Sequence, residues 1–207
     1  MWTAATSIAI GYAWWTREPS AAELIPEFQT LQVSCTQGAS LYSDWLTRRL
    51  PDNVRFKLQN RRRVTGLFCI RTVVADEHLE KWRNLRGIER LYLDETQITN
   101  VGLLHLRGLS SLKLLSLDNT GITDDGLAVL SKFKSLESLS LKGTGIDGSG
   151  LAPLQGIPGL ADLVLERTRM DDAGMVHLRD LKSLHWLNLA ATPITDAGLV
   201  HLIGLDK

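Results

Sequence analysis

Two pairs of adjacent carboxylates are the first candidates for chemistry in this sequence. Asp124 stands beside Asp125, and Asp171 beside Asp172. Paired carboxylates are groups that general acid–base catalysis uses. Both pairs fall where the sequence predicts the start of a helix, and negative charge there is favoured by the helix dipole. We therefore expect both pairs to be structural.

Histidines and cysteines are the second group of candidates, as metal ligands or as a nucleophile. His105, His177 and His201 share one repeat position, and stacked imidazoles of the last two could share a metal ion. No cysteine or carboxylate completes a ligand spacing beside them. Cys69 takes the place of a core leucine, and Cys35 has no linked histidine that would activate a thiolate. The sequence therefore predicts no catalytic residue, no metal site and no cofactor.

The composition is that of an ordinary globular protein, with 44% hydrophobic and 22% charged residues among 207 and a formal net charge of zero. Without a basic excess the chain lacks the usual attraction for phosphate, so no nucleic-acid partner is expected. Two cysteines cannot build a disulfide framework. The sequence also contains no lysine-bearing phosphate loop, no H-E-x-x-H and no G-x-S-x-G motif. We expect a protein that is not an enzyme.

A repeat of 24 residues positions all of these side chains. One copy runs from Ile88 to Ile98 as I-x-x-L-x-L-x-x-T-x-I, and five complete copies follow one another without insertion. A degenerate copy, from Val64 to Val74, precedes them. Such a period predicts a solenoid, in which each unit buries its apolar face against its neighbours. The threonines that mark the period are Thr72, Thr96, Thr120, Thr144, Thr168 and Thr192.

Each copy predicts a short strand followed by a helix. The L-x-L core has the period of a strand, and both leucines point inward. Apolar residues at helical spacing follow, as in Leu103, Leu106 and Leu109. Side chains with a capping oxygen stand where each helix begins, at Thr99, Thr123, Asp147, Asp171 and Thr195. Ala75 and His78 replace the cap and the following glycine in the first copy, which weakens the prediction of a helix there.

Glycines and threonines recur at fixed places within the unit. A glycine inside the first helical turn predicts contact too close for a side chain with the neighbouring coil, at Gly102, Gly126, Gly150, Gly174 and Gly198. Glycines near the helix ends, Gly108, Gly156 and Gly204, suit a left-handed exit. The buried threonine hydroxyls need partners. We expect them to bond backbone groups of adjacent coils, as a ladder along the stack.

The pattern resembles the leucine-rich repeat family, with threonine in the usual asparagine place. The unit Ile194-Thr195-Asp196-Ala197-Gly198-Leu199 is similar to bacterial repeats of the planctomycete type. The resemblance covers residues 64–207. It implies an α/β fold: a right-handed leucine-rich repeat solenoid of about six repeats, with a parallel concave sheet and helices on the convex side. It also implies recognition of proteins in general, without naming one.

Residues 1–63 do not repeat, and they carry a net charge of +3 against −3 in residues 64–207. We divide them into an apolar leader, 1–18, and a linker with an N-terminal cap, 19–63. Residues 41–58 have the spacing of a helix and then a strand, and so fit the cap. The tryptophans of the leader, followed by Arg17, suggest the tail of a membrane anchor; a loosely packed leader is the alternative. Arg61, Arg62 and Arg63 predict a solvated turn, or else a surface for an acidic partner.

The predicted binding site is the strand face that does not enter the core. Residues before, between and after the strand leucines form a strip about 25 to 30 Å long, enough for a standard interface. The strip contains residue types that often anchor contacts, although exposed strand residues need no function. The candidate binding residues are Arg90, Tyr92, Asp94, Leu114, Asp118, Lys142, Asp162, Glu166, Trp186 and Asn188.

Three functions follow as hypotheses. The first is a non-enzymatic module that binds a protein or peptide on the concave face. The second is the recognition domain of a membrane-anchored scaffold or sensor, and the third an adaptor that recruits a substrate to an enzyme complex. Both a cytoplasmic and a membrane-anchored localisation stay open. Leu205 ends the last repeat without a distinct cap, so either Trp186 and the last helix shield the final coil or its core edge is exposed. Dimerisation through that edge is a further prediction.

Overall fold

The computed structural model describes residues 34–37, 64–83 and 85–205. Seven strands in these ranges form one sheet in chain order: β1 Ser34–Gln37, β2 Val64–Phe68, β3 Arg90–Tyr92, β4 Leu114–Ser116, β5 Ser138–Ser140, β6 Asp162–Val164 and β7 Trp186–Asn188. Among the described residues, three α-helices lie between or after them: α1 Asp76–Trp82, α2 Asn100–His105 and α3 Asp196–Leu199. The 3₁₀ helices of the same ranges are Leu106–Gly108, Asp124–Lys132, Ala152–Gly156, Gly174–His177 and Val200–Leu202.

Strands β2 to β7 are parallel, and their register follows the 24-residue period. Leu91 lies beside Leu67 on one side and Leu115 on the other, and the alignment continues through Leu139 and Leu163. Each coil therefore repeats the one before it, with a strand on one side and a helical segment on the other. This confirms the prediction of an α/β leucine-rich repeat solenoid with six repeats.

Strand β1 was not predicted. It pairs antiparallel with β2, with Cys35 opposite Leu67. Ser34–Gln37 contains no alternation of apolar and polar residues long enough to mark a strand, and it lies in the segment assigned to the linker and cap. The first repeat strand is thus paired on both of its edges.

The core is one continuous column of side chains between the sheet and the helical segments. Strand leucines such as Leu91 and Leu115 are fully buried, as are residues of the helical segments such as Leu103 and Met175. Cys69 is fully buried at a leucine position, as predicted. Burial of each such side chain is worth about 1.5–3 kcal/mol. The predicted inward faces of strand and helix are confirmed in the first five repeats, whereas in the last repeat Leu199, predicted to face inward, is 48% exposed because no further coil among the described residues covers it.

The helical segments are shorter and tighter than the sequence suggested. Only α1, α2 and α3 are α-helical among the described residues, whereas Asp124–Lys132 is a 3₁₀ helix over nine residues. A 3₁₀ helix rises about 2.0 Å per residue against about 1.5 Å for an α-helix, so it crosses the width of the coil with fewer residues.

Helix α1 forms although Ala75 and His78 replace the cap and the glycine of the repeat, because the His78 Nδ1 accepts the N–H of Ala75 at 3.0 Å.

The recurring glycines pack against the preceding coil, as predicted. A Cβ on Gly150 would lie 2.4 Å from the carbonyl oxygen of Asp124, and one on Gly174 would lie 2.8 Å from the Cα of Gly148. At the other three glycines, a Cβ would come as close to a side-chain oxygen of Asp76, Asn100 or Asp172. Real Cβ atoms do not approach to such distances, so glycine is a steric requirement at this position.

The prediction for the threonine hydroxyls was wrong. Thr96 Oγ1 donates to the carbonyl oxygen of Leu93 at 2.6 Å, three residues earlier in its own coil. The same bond recurs for Thr72, Thr120, Thr144, Thr168 and Thr192. The chain turns after each strand, which brings that carbonyl within hydrogen-bond distance of the hydroxyl three residues later. The threonines therefore hold the bend after each strand rather than joining the coils.

The sequence also predicted left-handed residues at the wrong positions. Gly204 has a φ of +91°, as expected for a left-handed exit, but Gly108 and Gly156 do not have a positive φ. A Cβ on Gly108 would instead lie 2.5 Å from the carbonyl oxygen of Arg83. The recurring left-handed residue stands just before each threonine: Arg71, Glu95, Asn119, Gly143, Arg167 and Ala191, with φ between 53° and 65°. Its residue types vary too widely for the sequence to reveal it.

The helix starts carry the predicted caps in four of the five full copies. Thr99 and Thr195 accept from the N–H two residues on, at 3.3 and 3.2 Å. Asp147 and Asp171 accept in the same way at 2.9 and 3.0 Å. The exception is Thr123, whose hydroxyl caps no helical N–H.

The last coil is less buried than the others. Leu187 and Leu189 of this coil are partly exposed, whereas Leu163 and Leu165 one coil earlier are fully buried. Trp186 also lies on this coil, and its side chain is 53% exposed. Dimerisation through this edge stays a prediction.

Three interpretations lie outside the described residues: the leader 1–18, the cap 41–58 and the arginines 61–63. Among the described residues, no helix is long and apolar enough to cross a membrane. The boundary at residue 63 also stays a prediction, although β2 begins at Val64.

Candidate functional site

The candidate site is the face of the sheet opposite the core, which we call the open face. It carries three rows of side chains that run across the strands. The first row precedes each buried strand residue: Gly66, Arg90, Leu114, Ser138, Asp162 and Trp186. The second row follows it: Phe68, Tyr92, Ser116, Ser140, Val164 and Asn188. The third row stands two residues further on: Ile70, Asp94, Asp118, Lys142, Glu166 and Ala190.

The structure brings all ten predicted binding residues onto these three rows. Period-two alternation requires this, because a residue flanking a buried leucine must point to the other face. Their side chains differ in what they contact. Some bond one another along the third row, whereas others reach solvent.

The third row begins as a ladder of hydrogen bonds between strands. Asp94 accepts from the hydroxyl of Ser116 and, at 3.0 Å, from the backbone N–H of Asp118. One strand further, Asp118 accepts from the hydroxyl of Ser140 and, at 3.0 Å, from the N–H of Lys142. Each carboxylate thus ties its own coil to the next.

The ladder continues through charged and amide groups. Lys142 Nζ lies 2.8 Å from Glu166 Oε1, and Asn188 Nδ2 donates to Glu166 Oε2 at 3.3 Å. Asn188 Oδ1 accepts the N–H of Ala190 at 3.0 Å. The hydrogen bond from Lys142 lowers the pKa of the Glu166 carboxyl. Five predicted binding residues, Asp94, Asp118, Lys142, Glu166 and Asn188, are therefore parts of the scaffold of this face.

Asp94 is the carboxylate of the ladder whose pKa is raised by burial above the usual value, although hydrogen bonds from Ser116 and Asp118 act in the opposite direction. The neighbouring charges of Asp118 and Glu95 add to the rise. Desolvation penalises the charged form, so it outweighs the two hydrogen bonds here.

Four predicted residues outside the ladder all belong to the first row. Arg90 and Trp186 are exposed, and Leu114 and Asp162 are half-buried. In the part of the chain that the structure describes, neither Arg90 nor Asp162 makes an ion pair. These side chains are available to a partner without breaking a bond within the protein.

The tenth residue, Tyr92, belongs to an aromatic pair that sequence reasoning missed. Its ring stacks on that of Phe68, with centroids 4.6 Å apart and an interplanar angle of 11°. Ile70 lies beside this pair in the third row and is 45% exposed. Phe68 and Ile70 precede Tyr92 and Asp94 by one repeat, so the 24-residue period was a sufficient signal for both.

The carboxylates that first suggested catalysis hold helix starts together. Asp124 accepts the backbone N–H groups of Asp147, Gly148 and Gly150 in the next coil, at 2.8, 3.1 and 2.8 Å. Asp172 accepts from both the N–H and the hydroxyl of Thr195. Within the described residues, no three His, Cys, Asp or Glu side chains are grouped closely enough to hold a metal ion.

Comparison with known proteins gives structural neighbours only. No family model and no curated protein matches the chain. The internalin C2 of Listeria monocytogenes is 20% identical, with a TM-score of 0.48 over 69% of this chain and 77% of the internalin. The internalin inlF of the same bacterium is 18% identical, with a TM-score of 0.49 over 87% of this chain and 63% of its own. A TDR receptor is 16% identical, with a TM-score of 0.42 over 56% of this chain and 24% of the receptor.

The TM-scores of these three neighbours all lie below 0.5, and their identities do not exceed 20%. The chain spans less than two thirds of the second internalin and about a quarter of the receptor. The fold assignment therefore rests on strand order and register, and the resemblance to the planctomycete type stays a prediction.

Proposed function

We propose that the protein is a non-enzymatic interaction module that binds a protein or peptide on the open face. The observation that carries this proposal is the first row, where Arg90, Leu114 and Trp186 stand in register on one sheet. Trp186 is 53% exposed, although indole is a large apolar group that folding normally buries. Tryptophan and arginine are also the residue types that most often dominate binding energy.

The dimensions of the open face suit such a partner. Six parallel strands spaced about 4.8 Å apart place the outermost strand axes about 24 Å apart. An interface of standard size buries about 800 Å² on each partner, which a face of this length can supply.

The ladder of the third row supports the same function in a different way. Asp94, Asp118 and Glu166 are held by bonds to neighbouring strands, so the floor of the face is ordered before a partner arrives. Binding to an ordered surface loses less conformational entropy than binding to a mobile one.

The proposal that the module is non-enzymatic rests on what the reactive side chains contact. Asp124 and Asp172 accept backbone N–H groups of the next coil, and Cys69 is buried in the core. A carboxylate in such a role would have to give up structural bonds before it could transfer a proton.

Capture from a lysate of the source organism tests the site. The full-length protein is compared with a variant carrying Arg90→Glu, Tyr92→Ala and Trp186→Ala. The control variant carries Val101→Ala, Leu104→Ala and Arg107→Glu, which lie in or just after α2 and are exposed. Circular dichroism checks that all three are folded.

We expect the wild type and the control to retain the same protein, and the open-face variant to lose it. The captured protein is then produced alone and its affinity for the three chains is measured directly. Equal retention by all three chains would contradict the assignment to the open face.

A further inference from the structure

Two opposite charges stand in the first row of the open face, three strands apart. Arg90 lies on β3 and Asp162 on β6, with Leu114 and Ser138 in register between them. Trp186 follows on β7, directly beside Asp162. The order along the row is therefore a cation, an apolar group, a small hydroxyl, an anion and an indole.

These two charges differ from the other charges of the same face. Lys142 and Glu166 neutralise each other at 2.8 Å, and Asp94 and Asp118 accept hydrogen bonds from the next strand. Across the ranges that the structure describes, Arg90 and Asp162 have no ion-pair partner. Their charges are thus available to a ligand, and their separation sets a distance that the ligand must match.

The separation corresponds to a short stretch of extended chain. Three strand spacings of about 4.8 Å place the Cα atoms of Arg90 and Asp162 about 14 Å apart. An extended peptide advances about 3.3 Å per residue, so four residues cover that distance. A peptide that crosses the strands would place one side chain over Arg90 and the fourth residue from it over Asp162.

The neighbours of each charge refine the ligand further. Leu114 lies beside Arg90 and favours an apolar side chain two residues from the acidic residue of the ligand, because alternate side chains of an extended peptide face the sheet. Ser138 is small and leaves room for the backbone to approach the sheet. Trp186 beside Asp162 favours a cationic side chain at that end, because a cation is attracted to both a carboxylate and the face of an indole.

We infer that the open face binds an extended peptide segment in which an acidic and a basic side chain stand about four residues apart. This inference rests on the proposed function and specifies the chemistry of its ligand. The acidic side chain pairs with Arg90, and the basic side chain pairs with Asp162 and contacts Trp186.

Synthetic nine-residue peptides of one apolar and serine background test the inference. A mixed peptide carries Glu and Lys four positions apart, a basic peptide carries Lys at both positions, and an acidic peptide carries Glu at both. Affinities are measured by NMR titration at low salt for the full-length wild type, Arg90→Glu and Asp162→Lys. Two control variants, Arg107→Glu and Asp180→Lys, change net charge equally at exposed positions away from the open face.

The preferred peptide should change with the variant. The wild type should favour the mixed peptide, Arg90→Glu the basic peptide and Asp162→Lys the acidic peptide. Each preference should reach about fivefold, the upper range for one exposed ion pair, and should weaken in salt. A mixed peptide with its two charges adjacent should bind the wild type more weakly than one with the four-residue spacing.

Two results would overturn the inference: the same ranking of peptides by all five proteins, or binding of no peptide by any of them. Loss of capture by the Arg90, Tyr92 and Trp186 variant would still support an interaction at the open face in either case. Failure of the inferred charge spacing in the ligand is thus distinguishable from failure of the proposed function.

Discussion

Asp172 and Thr195 are joined by two hydrogen bonds between adjacent coils. The carboxylate accepts the backbone N–H of Thr195 at 2.8 Å and its hydroxyl at 2.5 Å. Because the hydroxyl donates to Asp172, its lone pairs remain able to accept the N–H of Ala197 at 3.2 Å, which caps α3. Asp76 and Thr99 repeat the arrangement at the other end of the solenoid.

Asn100 occupies the same repeat position and produces a different outcome. Its Oδ1 accepts the N–H of Thr123 at 3.0 Å, but its Nδ2 donates to the hydroxyl of Thr123 at 2.8 Å. That hydroxyl caps no helical N–H. A carboxylate at this position accepts from the threonine hydroxyl of the next coil, which then caps the helix. An amide donates to that hydroxyl instead, and the hydroxyl does not cap the helix.

Replacing the Asp172 carboxylate, which bonds Thr195 of the last coil, by an amide should reproduce this difference. In Asp172→Asn the bond to the Thr195 N–H should persist, whereas the hydroxyl should turn toward the new amide and release the Ala197 N–H. Hydrogen exchange should then be about fivefold faster at Ala197 and unchanged at Thr195. Asp172→Ala serves as the control and should speed exchange at both. Unchanged exchange at Ala197 in Asp172→Asn would contradict this account of the cap.

Asp94 should make stability fall as pH rises through the acid range. Because burial raises the pKa of its carboxyl, the folded state binds the proton more tightly than the unfolded state, whose pKa is near 3.8. Stability from this residue is therefore greatest below pH 3.8 and declines as the pH passes the raised value. Asp94→Asn keeps an oxygen that accepts from Ser116 and Asp118, and should remove this decline.

Urea unfolding of wild type and Asp94→Asn between pH 3 and pH 7 measures that effect. The free energy of unfolding of the variant, relative to the wild type, should increase with pH over this range. A relative stability that decreases as pH rises would mean that Asp94 is stabilised as a carboxylate, and would contradict the assigned direction of its pKa.

Much of the fold was predictable because residues that make the same contact recur at the same position in each copy of the repeat. Inward leucines, capping side chains and the glycines at Gly150 and its equivalents each reflect a contact that every coil makes. The ten candidate residues were placed on one face for the same reason, since alternation along a strand leaves no other choice. Phe68 and Ile70 were overlooked only because the first copy is degenerate.

The remaining features depend on geometry that residue types do not encode. Carbonyl oxygens carry no sequence signal, so nothing indicated that each threonine bonds Leu93 or its equivalent rather than the next coil. The left-handed residue before each threonine varies from Arg71 to Gly143, because the bend imposes the conformation whatever the side chain. The division of the open face into a bonded ladder and an available row depends on side-chain contacts that residue type does not reveal, since Asp118 and Asp162 are the same residue type.

Glycine at the first helical turn should be costly to replace, even by alanine. In Gly150→Ala the new Cβ would lie 2.4 Å from the Asp124 carbonyl oxygen, so the backbone of a neighbouring coil must move. We expect a loss of about 1–3 kcal/mol in the free energy of unfolding. Gly159→Ala is the matched control, because the nearest atom, the Leu136 oxygen, is 3.8 Å away.

The control should be neutral or more stable by up to about 1 kcal/mol, since alanine restricts the unfolded chain. Chemical denaturation of both variants provides the comparison. Equal stability of Gly150→Ala and Gly159→Ala would show that the coils separate easily at this contact, against the steric argument.

The contribution of each threonine hydrogen bond to the free energy of unfolding should increase with the burial of the threonine. Thr144 is 5% exposed and donates to the Leu141 carbonyl oxygen at 2.5 Å, whereas Thr192 is half-buried and donates to Leu189 at 2.6 Å. Valine has nearly the shape of threonine but no hydroxyl. Thr144→Val should therefore cost about 1–3 kcal/mol, because it leaves a buried carbonyl with a weaker partner.

Thr192→Val should cost less than Thr144→Val, because water can reach the carbonyl of Leu189 in the last coil. Thr144→Ser restores a donor and should recover part of the loss, which separates the hydrogen bond from the packing of the methyl group. The three variants are compared by urea unfolding at neutral pH. If the threonines bonded the adjacent coil instead, Thr144→Val would also speed hydrogen exchange across the neighbouring strand β6, whereas a bond within the coil confines the change to the bend at Leu141.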